Sequence, residues 1–330
     1  MRLISTTVDG LERLQLDDAT YHVLILPEVG AKIASLVCKE TGEELLFRNP
    51  DRPFRRPDYG GAFDAYDYSG FDDCFPNIAA GPYPGYPWDG IPLPDHGELW
   101  TLPWNWEFTD GELHLWAHGV RLPYRFDRWL ASRGDTLELR YQVTNLAPFD
   151  IRALYAAHCL FAVQPDTRIL LPDGVRVRVD WSKDSRLGTV CDAHAWPTTQ
   201  DTHGNPVDLS LIRSGELGTA DKVYTTRLDE GWCALHHPAT GRYMAFTFSP
   251  AELPYVGVWI NQGGWPLQGQ PCFHAALEPC TGFPDRLDIA VPRNEAGTVP
   301  ARGSCSWRLR LWAGRSTDAA SLVSQLRRAG

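Results

Sequence analysis

Residues 136–143 read TLELRYQV, and apolar side chains alternate with polar ones along the whole stretch. Leu137, Leu139, Tyr141 and Val143 therefore share one face of an extended chain, because successive side chains of a β-strand point to opposite faces. The same alternation marks four later segments, at residues 175–180, 243–248, 255–260 and 304–312. This pattern is typical of half-buried antiparallel strands, so the sequence predicts an all-β protein.

Helix signals are sparse and concentrate at the end of the chain. Residues 317–328 begin with Thr317 and Asp318 and place Leu322 and Leu326 on one face, which predicts a C-terminal helix covering a sheet edge. No internal repeat, low-complexity tract or linker divides the sequence. Since a layered sandwich can absorb a long chain, residues 1–330 are predicted to form a single domain, a large antiparallel β-sandwich.

Composition excludes several classes of partner. The chain has 31 Lys and Arg against 41 Asp and Glu, a net charge of −10, and such a protein repels nucleic-acid phosphates. No segment approaches the ~20 apolar residues of a membrane span, and no apolar core follows Met1. Eight scattered cysteines without a CxxC pair are expected to be reduced and mostly buried. We expect a cytoplasmic protein that binds neither nucleic acid nor membranes.

Aromatic residues are abundant, at 12%, and include 13 Trp. Many lie beside Gly and Pro in two segments, residues 49–103 and 261–270, that are predicted to be functional loops. Flat aromatic faces suit the C–H-rich surfaces of sugars. Filling a large sandwich core is the alternative explanation for many of these side chains.

Three short segments carry the candidate chemistry: PDHGELW at 94–100, LYAAHCLF at 154–161 and AALEPCTGFPD at 275–285. His158 and Glu278 are each a lone titratable group among apolar neighbours, and burial disfavours the charged form of such groups. Perturbed groups of this kind are functional candidates. The structural alternatives are a neutral core histidine for His158 and a salt bridge to Arg286 for Glu278.

Standard motifs for other chemistries are missing from the sequence. GxGxxG, GxxxxGK[ST], HExxH and GxSxG do not occur, which removes the best support for dinucleotide, nucleotide, zinc-protease and hydrolase functions. Cys272 with His274, and His236 with His237, do not have zinc-finger spacing. No metal site is predicted.

The order of a loop histidine, a strand histidine and a late-strand Glu followed by Pro-Asp resembles the aldose 1-epimerase and galactose mutarotase-like superfamily, especially its aldose-epimerase-like branch. The stretches that carry the resemblance are GFDDCFPN at 70–77, PDHGELW at 94–100, the strand around His158, WINQGGW at 259–265 and LEPCTGFPD at 277–285. Together they span most of the chain from about residue 20 onward.

The resemblance implies a cofactor-independent isomerase that interconverts the α and β anomers of an aldose. His158 would be the general acid and Glu278 the general base. The residues implied in sugar binding are His96, Asn77, Asp72, Asp73, Trp100, Asp221, Trp259 and Gln262. The implied partner is a small monosaccharide, and we expect a monomer or a homodimer.

One departure leaves the sugar open. Well-studied members of the superfamily carry an Arg just after the early-loop Asn, whereas Ile78 and Ala79 follow Asn77 here. Two other functions also stay open. A glycoside hydrolase or lyase would pair Glu278 with a second carboxylate, from Asp72, Asp73 or Asp95, ~5–9.5 Å away. A non-catalytic carbohydrate-binding protein would need only the aromatic side chains.

Overall fold

A computed structural model describes residues 1–329 of the chain. The first thirteen strands are β1 (Arg2–Val8), β2 (Leu11–Asp17), β3 (Tyr21–Leu26), β4 (Lys32–Cys38), β5 (Glu43–Glu44), β6 (Phe71–Cys74), β7 (Gly81–Pro82), β8 (Pro92–Leu93), β9 (Asn105–Thr109), β10 (Glu112–His118), β11 (Tyr124–Arg133), β12 (Thr136–Asn145) and β13 (Ile151–Ala153).

The second half of the chain adds thirteen more strands and two helices. The strands are β14 (Ala156–Phe161), β15 (Arg168–Leu170), β16 (Arg176–Ser182), β17 (Ala193–Ala195), β18 (Thr198–Gln200), β19 (Pro206–Asp208), β20 (Thr219–Thr225), β21 (Trp232–His236), β22 (Arg242–Phe248), β23 (Tyr255–Gln262), β24 (Phe273–Cys280), β25 (Gly297–Val299) and β26 (Ser304–Arg315). The helices are α1 (Leu287–Ala290) and α2 (Ala319–Ala329).

Two large sheets hold most of these strands. The twelve-stranded sheet has the order β1-β2-β3-β4-β6-β14-β24-β23-β20-β16-β17, with β5 beside β4. The eight-stranded sheet has the order β15-β21-β22-β26-β12-β11-β10-β9. Their ladders are antiparallel, as the alternating sequence predicts.

The core lies between the two sheets. Leu137, Leu139 and Val143 of β12 are fully buried, which places the apolar face of the opening stretch inside the protein. Across the layers, Phe246 of β22 contacts the ring of Phe71 from the twelve-stranded sheet, with ring centroids 6.1 Å apart. The all-β sandwich predicted from the sequence is therefore confirmed.

The C-terminal helix is also confirmed, but it lies on a sheet face. Leu322 and Leu326 of α2 pack against Trp232, Ala234 and Ala245 on the outer side of β21 and β22. The Asp318 carboxylate accepts a hydrogen bond from the Ser321 N–H at 2.8 Å, which caps the first turn. Within residues 1–329 no helix is long and apolar enough to cross a membrane.

Candidate active site

The central strands of the twelve-stranded sheet turn their second face to a cleft of about 280 Å³. Its floor comes from β14, β24, β23, β20 and β16, whose other faces line the core. Val223 and Val258 point to the core, whereas their strand neighbours Lys222 and Trp259 line the cleft. The strand period of two therefore separates packing residues from cleft residues.

Strand register brings His158 and Glu278 together. In the ladder between β14 and β24, Leu160 pairs with Ala276. Because the strands are antiparallel, His158, two residues before Leu160, lies level with Glu278, two residues after Ala276. Both side chains line the cleft, although 120 residues separate them in sequence.

A glycine on the next strand leaves room for the carboxylate. Gly257 of β23 is the register partner of Glu278, and Tyr224 of β20 is the partner of Gly257. A Cβ atom at Gly257 would lie 2.9 Å from the Tyr224 ring and 3.3 Å from the Glu278 Oε2. A side chain at this position would therefore displace the carboxylate, the ring or both.

The 49–103 segment brings a second histidine over the sheet. His96 has a φ of 57° and is followed by Gly97 with a φ of 73°. A Cβ atom at Gly97 would lie 2.4 Å from the Phe75 carbonyl oxygen, so this tight turn requires glycine. The His96 ring stacks on Phe63 with centroids 4.0 Å apart, and its centroid lies 4.9 Å from that of His158.

The pKa values of the two histidines are shifted in opposite directions. Burial, together with the positive charges of His96 and Lys222, lowers the pKa of His158 well below its usual value. Burial alone would also lower the pKa of His96, but the Asp95 carboxylate, 3.0 Å from its Nδ1, raises that pKa overall. His158 is therefore neutral near pH 7, and His96 is the ring that holds a proton more readily.

Glu278 is fully buried and forms an ion pair with a lysine. Its Oε2 accepts a hydrogen bond from the Nζ of Lys222, whereas its Oε1 has no hydrogen-bond partner within residues 1–329. Burial raises the pKa of Glu278, and the Lys222 charge opposes that rise. Burial lowers the pKa of Lys222, but Glu278 and Asp285 raise it overall, so the lysine is charged.

Two further carboxyl groups form one end of the cleft. The Asp285 N–H donates to the Asp180 Oδ1 at 2.9 Å, and the Tyr224 hydroxyl donates to the Asp285 carboxylate. Burial and the nearby charge of Asp285 raise the pKa of Asp180 well above its usual value. Asp180 therefore retains a proton more readily than an ordinary aspartate.

Three tryptophans form an aromatic wall. Trp259 lies 5.7 Å from Trp181 and 6.1 Å from Trp265, measured between ring centroids. The indole N–H of Trp259 donates to the Nε2 of His274 at 3.1 Å. Burial lowers the pKa of His274 to about 3, so this imidazole is a neutral acceptor that fixes the Trp259 ring.

Comparison with solved structures identifies the fold. A galactose mutarotase-like protein from Lactobacillus casei ATCC 334 matches with a TM-score of 0.67 at 15% identity, covering 91% of this chain and 99% of that chain. A galactose mutarotase related enzyme from Lactobacillus acidophilus matches with a TM-score of 0.65 at 16% identity, covering 93% and 98%. The Slr1438 protein from Synechocystis sp. PCC 6803 matches with a TM-score of 0.69 at 16% identity, covering 96% and 100%.

This chain has the galactose mutarotase-like fold. At these identities the likeness shows the fold alone. No family model matches the sequence, and no curated protein matches it.

The galactose mutarotase-like sandwich brings four of the predicted site residues together: His96, His158, Trp259 and Glu278 all line the cleft. Trp100 lies behind them. Its indole N–H donates to the Asp95 carbonyl at 2.8 Å, and its ring packs edge-on against Phe63. In this position Trp100 supports the turn that carries His96.

Three predicted sugar-binding residues of segment 49–103 have partners within the protein: Asn77, and Asp72 and Asp73 of strand β6. The side-chain amide of Asn77 donates to the Pro94 carbonyl at 2.7 Å, which ties two parts of the loop together. Asp72 forms a buried ion pair with Lys32 at 2.6 Å, and burial raises its pKa to about 6. Asp73 forms a buried ion pair with Arg128 at 2.7 Å. Among residues 1–329, these three are not part of the cleft lining.

Asp221 and Gln262 also lie outside the cleft lining described for residues 1–329. The carboxylate of Asp221 accepts a hydrogen bond from the Ser182 hydroxyl at 2.7 Å and pairs with Arg186. The side-chain carbonyl of Gln262 accepts from the Arg213 N–H at 2.6 Å. Their sugar-binding roles stay predictions, as do those of Asp72, Asp73, Asn77 and Trp100.

The sequence-based predictions gave no site role to three charged residues of the cleft, Lys222, Asp180 and Asp285. Lys222 is adjacent to Asp221, and neighbours along a strand face opposite sides, so only one of them can reach the cleft. Asp180 ends a regular alternation of apolar and polar side chains along β16. The register between β16 and β20 then shifts between Val179 and Trp181. This irregularity places both Asp180 and Trp181 on the cleft side.

Proposed function

We propose that this protein is an aldose 1-epimerase, an isomerase that opens and recloses the ring of a neutral aldose. One observation carries the proposal. His158 and Glu278 lie level on adjoining strands of one cleft, and one carboxylate oxygen of Glu278 has no protein partner within residues 1–329. A carboxylate base and a histidine at level positions on neighbouring strands suit proton transfers at the two oxygen atoms bound to C1.

The reaction needs two proton transfers and one bond cleavage. Glu278 accepts the proton of the C1 hydroxyl through its free Oε1. The electrons of that O–H bond form the aldehyde carbonyl, the bond between C1 and the ring oxygen breaks, and the ring oxygen takes up a proton. Rotation about the C1–C2 bond turns the aldehyde, and the reverse steps then close the ring on its other face.

The acid side of the reaction belongs to the two histidines together. His158 is neutral near pH 7, so its N–H orients the ring oxygen by a hydrogen bond. His96 holds the transferable proton because Asp95 favours its charged form. This division refines the sequence-based hypothesis, in which His158 alone is the acid.

The cleft suits an uncharged sugar. The Lys222 charge is paired with Glu278, and no Arg lines the cleft within residues 1–329. The Asp180 and Asp285 carboxyl groups can accept hydrogen bonds from sugar hydroxyls. Trp181, Trp259 and Trp265 offer apolar faces for the C–H side of the ring.

Polarimetry on freshly dissolved α-glucose and α-galactose tests the proposal. We expect the wild-type protein to accelerate mutarotation, and Glu278→Gln and His158→Ala each to lower kcat by about 10²–10⁴-fold. The exposed residues Glu216 and His118 provide matched controls as Glu216→Gln and His118→Ala, which should retain full activity.

Two results would contradict the proposal. Full activity in either cleft variant would remove the assigned acid–base pair. Sugar binding without any acceleration by the wild type would favour a non-catalytic carbohydrate-binding protein instead.

A further inference from the structure

Lys222 differs from the other buried lysine of the twelve-stranded sheet. Lys32 uses all three of its ammonium protons, on the Ser69 carbonyl at 2.8 Å and on Asp67 and Asp72 at 2.8 and 2.6 Å. It is a saturated structural cation. Lys222 has only Glu278 as a hydrogen-bond partner within residues 1–329, and its side chain is 8% exposed.

The two unused protons of Lys222 belong to a group that lines the cleft. A buried ammonium group with unpaired donors is costly unless a ligand or water completes its hydrogen bonds. The Oε1 of Glu278, in the same ion pair, is a hydrogen-bond acceptor without a donor among residues 1–329. The N–H groups of Lys222 and the Oε1 of Glu278 can therefore bind a sugar hydroxyl group, which both accepts and donates a hydrogen bond.

We propose that Lys222 positions the Glu278 carboxylate through Oε2 and donates its remaining N–H groups to the hydroxyl oxygens at C1 and C2 of the bound sugar. This inference rests on the proposed function. When Oε1 takes the C1 hydroxyl proton, the negative charge moves from the carboxylate toward the C1 oxygen. Lys222 is adjacent to both, so it stabilises the charge before and after the transfer.

Other charged and titratable groups surround Glu278, and any test must separate their effect on its pKa from the effect of Lys222. Those facing the ion pair are Tyr224 from β20, His158 from β14, Asp180 from β16, and His96 and Asp285 from loops. Cys74, Cys159 and Cys280 are also close, but burial raises their pKa values, so these thiols stay neutral.

The experiment combines a titration with kinetics. The pKa of Glu278 is measured by NMR on protein with ¹³C-labelled glutamate, with the signal assigned by its loss in Glu278→Gln. In Lys222→Met we expect the pKa of Glu278 to rise by about 1–3 units, because an adjacent positive charge is removed. We expect kcat/KM for mutarotation to fall at least 10-fold even at a pH where Glu278 is ionised.

Two further variants sharpen the result. Lys222→Arg keeps the charge but changes the donor geometry, so the pKa of Glu278 should move little while kcat/KM still falls. If Lys222→Met does not fold, this Arg variant alone decides. The exposed Lys39→Met is the matched control and should change neither quantity.

An unchanged Glu278 pKa in folded Lys222→Met, or wild-type kcat/KM in either Lys222 variant, overturns the inference. The titration does not depend on turnover. A wild-type protein that lacks mutarotation but shows the pKa shift on Lys222→Met would therefore contradict the proposed function while leaving the positioning of Glu278 by Lys222 intact.

Discussion

The contact between Asp95 and His96 decides where the transferable proton of the cleft resides. Two imidazoles lie 4.9 Å apart between ring centroids, His158 buried and His96 half-buried. Of the two, only His96 forms an ion pair with a carboxylate among residues 1–329. One neighbouring carboxylate therefore gives two chemically identical side chains different protonation states.

Asp95→Asn should lower the pKa of His96 by about one unit or more, because it removes the charge that favours the imidazolium. The amide oxygen of Asn can still accept the Phe63 N–H that Asp95 binds at 3.1 Å, so the loop is preserved. If protonated His96 is the acid, the loss of kcat at high pH should begin at a lower pH in the variant.

The pH profile of mutarotation and the NMR titration of the His96 ring measure these two shifts. The exposed pair of Asp17 and His22, 3.3 Å apart, gives the control Asp17→Asn. If the His96 pKa falls in Asp95→Asn but the loss of kcat at high pH begins at the same pH as in the wild type, His96 is not the acid.

At the scale of elements, α2 stabilises the second sheet from its outer side. Leu322 and Leu326 are fully buried there, whereas the cleft opens on the outer face of the other sheet. Stability supplied by α2 and chemistry in the cleft should therefore be separable.

Leu322→Ala should lower the free energy of unfolding by about 2–5 kcal/mol, through lost burial and the cavity that remains. The kcat of the folded protein should stay unchanged. Urea unfolding and polarimetry measure the two effects, and Ser324→Ala on the exposed side of α2 is the control. A stability change under 1 kcal/mol would show that α2 is not packed as described.

The scale of elements also shows which features the sequence can predict. Alternation along β12 and the apolar face of α2 are local patterns, so the fold class followed from them. The order of His96, His158 and Glu278 suggested one site. Their meeting depends on the register between β14 and β24, which lie more than a hundred residues apart, and no local pattern encodes it.

The choice between Asp221 and Lys222 shows the same limit. The two residues are neighbours on β20, and either suits a sugar site by its chemistry. Which one reaches the cleft depends on which side of β20 faces the core, and that follows only from the packing of the two sheets. Single-domain organisation of residues 1–330 stays a prediction.

At the scale of the whole molecule, charge should govern which sugars are accepted. The protein carries a net charge of −10, and Asp180, Asp285 and Glu278 add carboxyl groups at the cleft itself. A phosphorylated sugar brings about two negative charges into this field, and the cleft lining described for residues 1–329 has no Arg to receive them.

We expect kcat/KM for glucose 6-phosphate to be at least 10-fold below that for glucose, and the difference to shrink as salt screens the repulsion. NMR measurement of anomer exchange with both sugars at low and high ionic strength tests this. Equal or higher kcat/KM for the phosphorylated sugar would contradict the assignment of a neutral substrate.

The strands beneath the cleft carry core residues on one face and cleft residues on the other, so they tolerate fewer substitutions than the rest of the molecule. Replacements of Val223 or Val258 in the hydrophobic interior act on the same strands that hold the reactive groups, so drift there is constrained by catalysis as well as by packing. Of the connecting segment 49–103, only β6 joins the twelve-stranded sheet, and only Phe63 and His96 line the cleft. New substrate preferences in descendants of this protein should therefore arise in the rest of that segment, while β6, Phe63, the turn at His96 and the floor strands are kept.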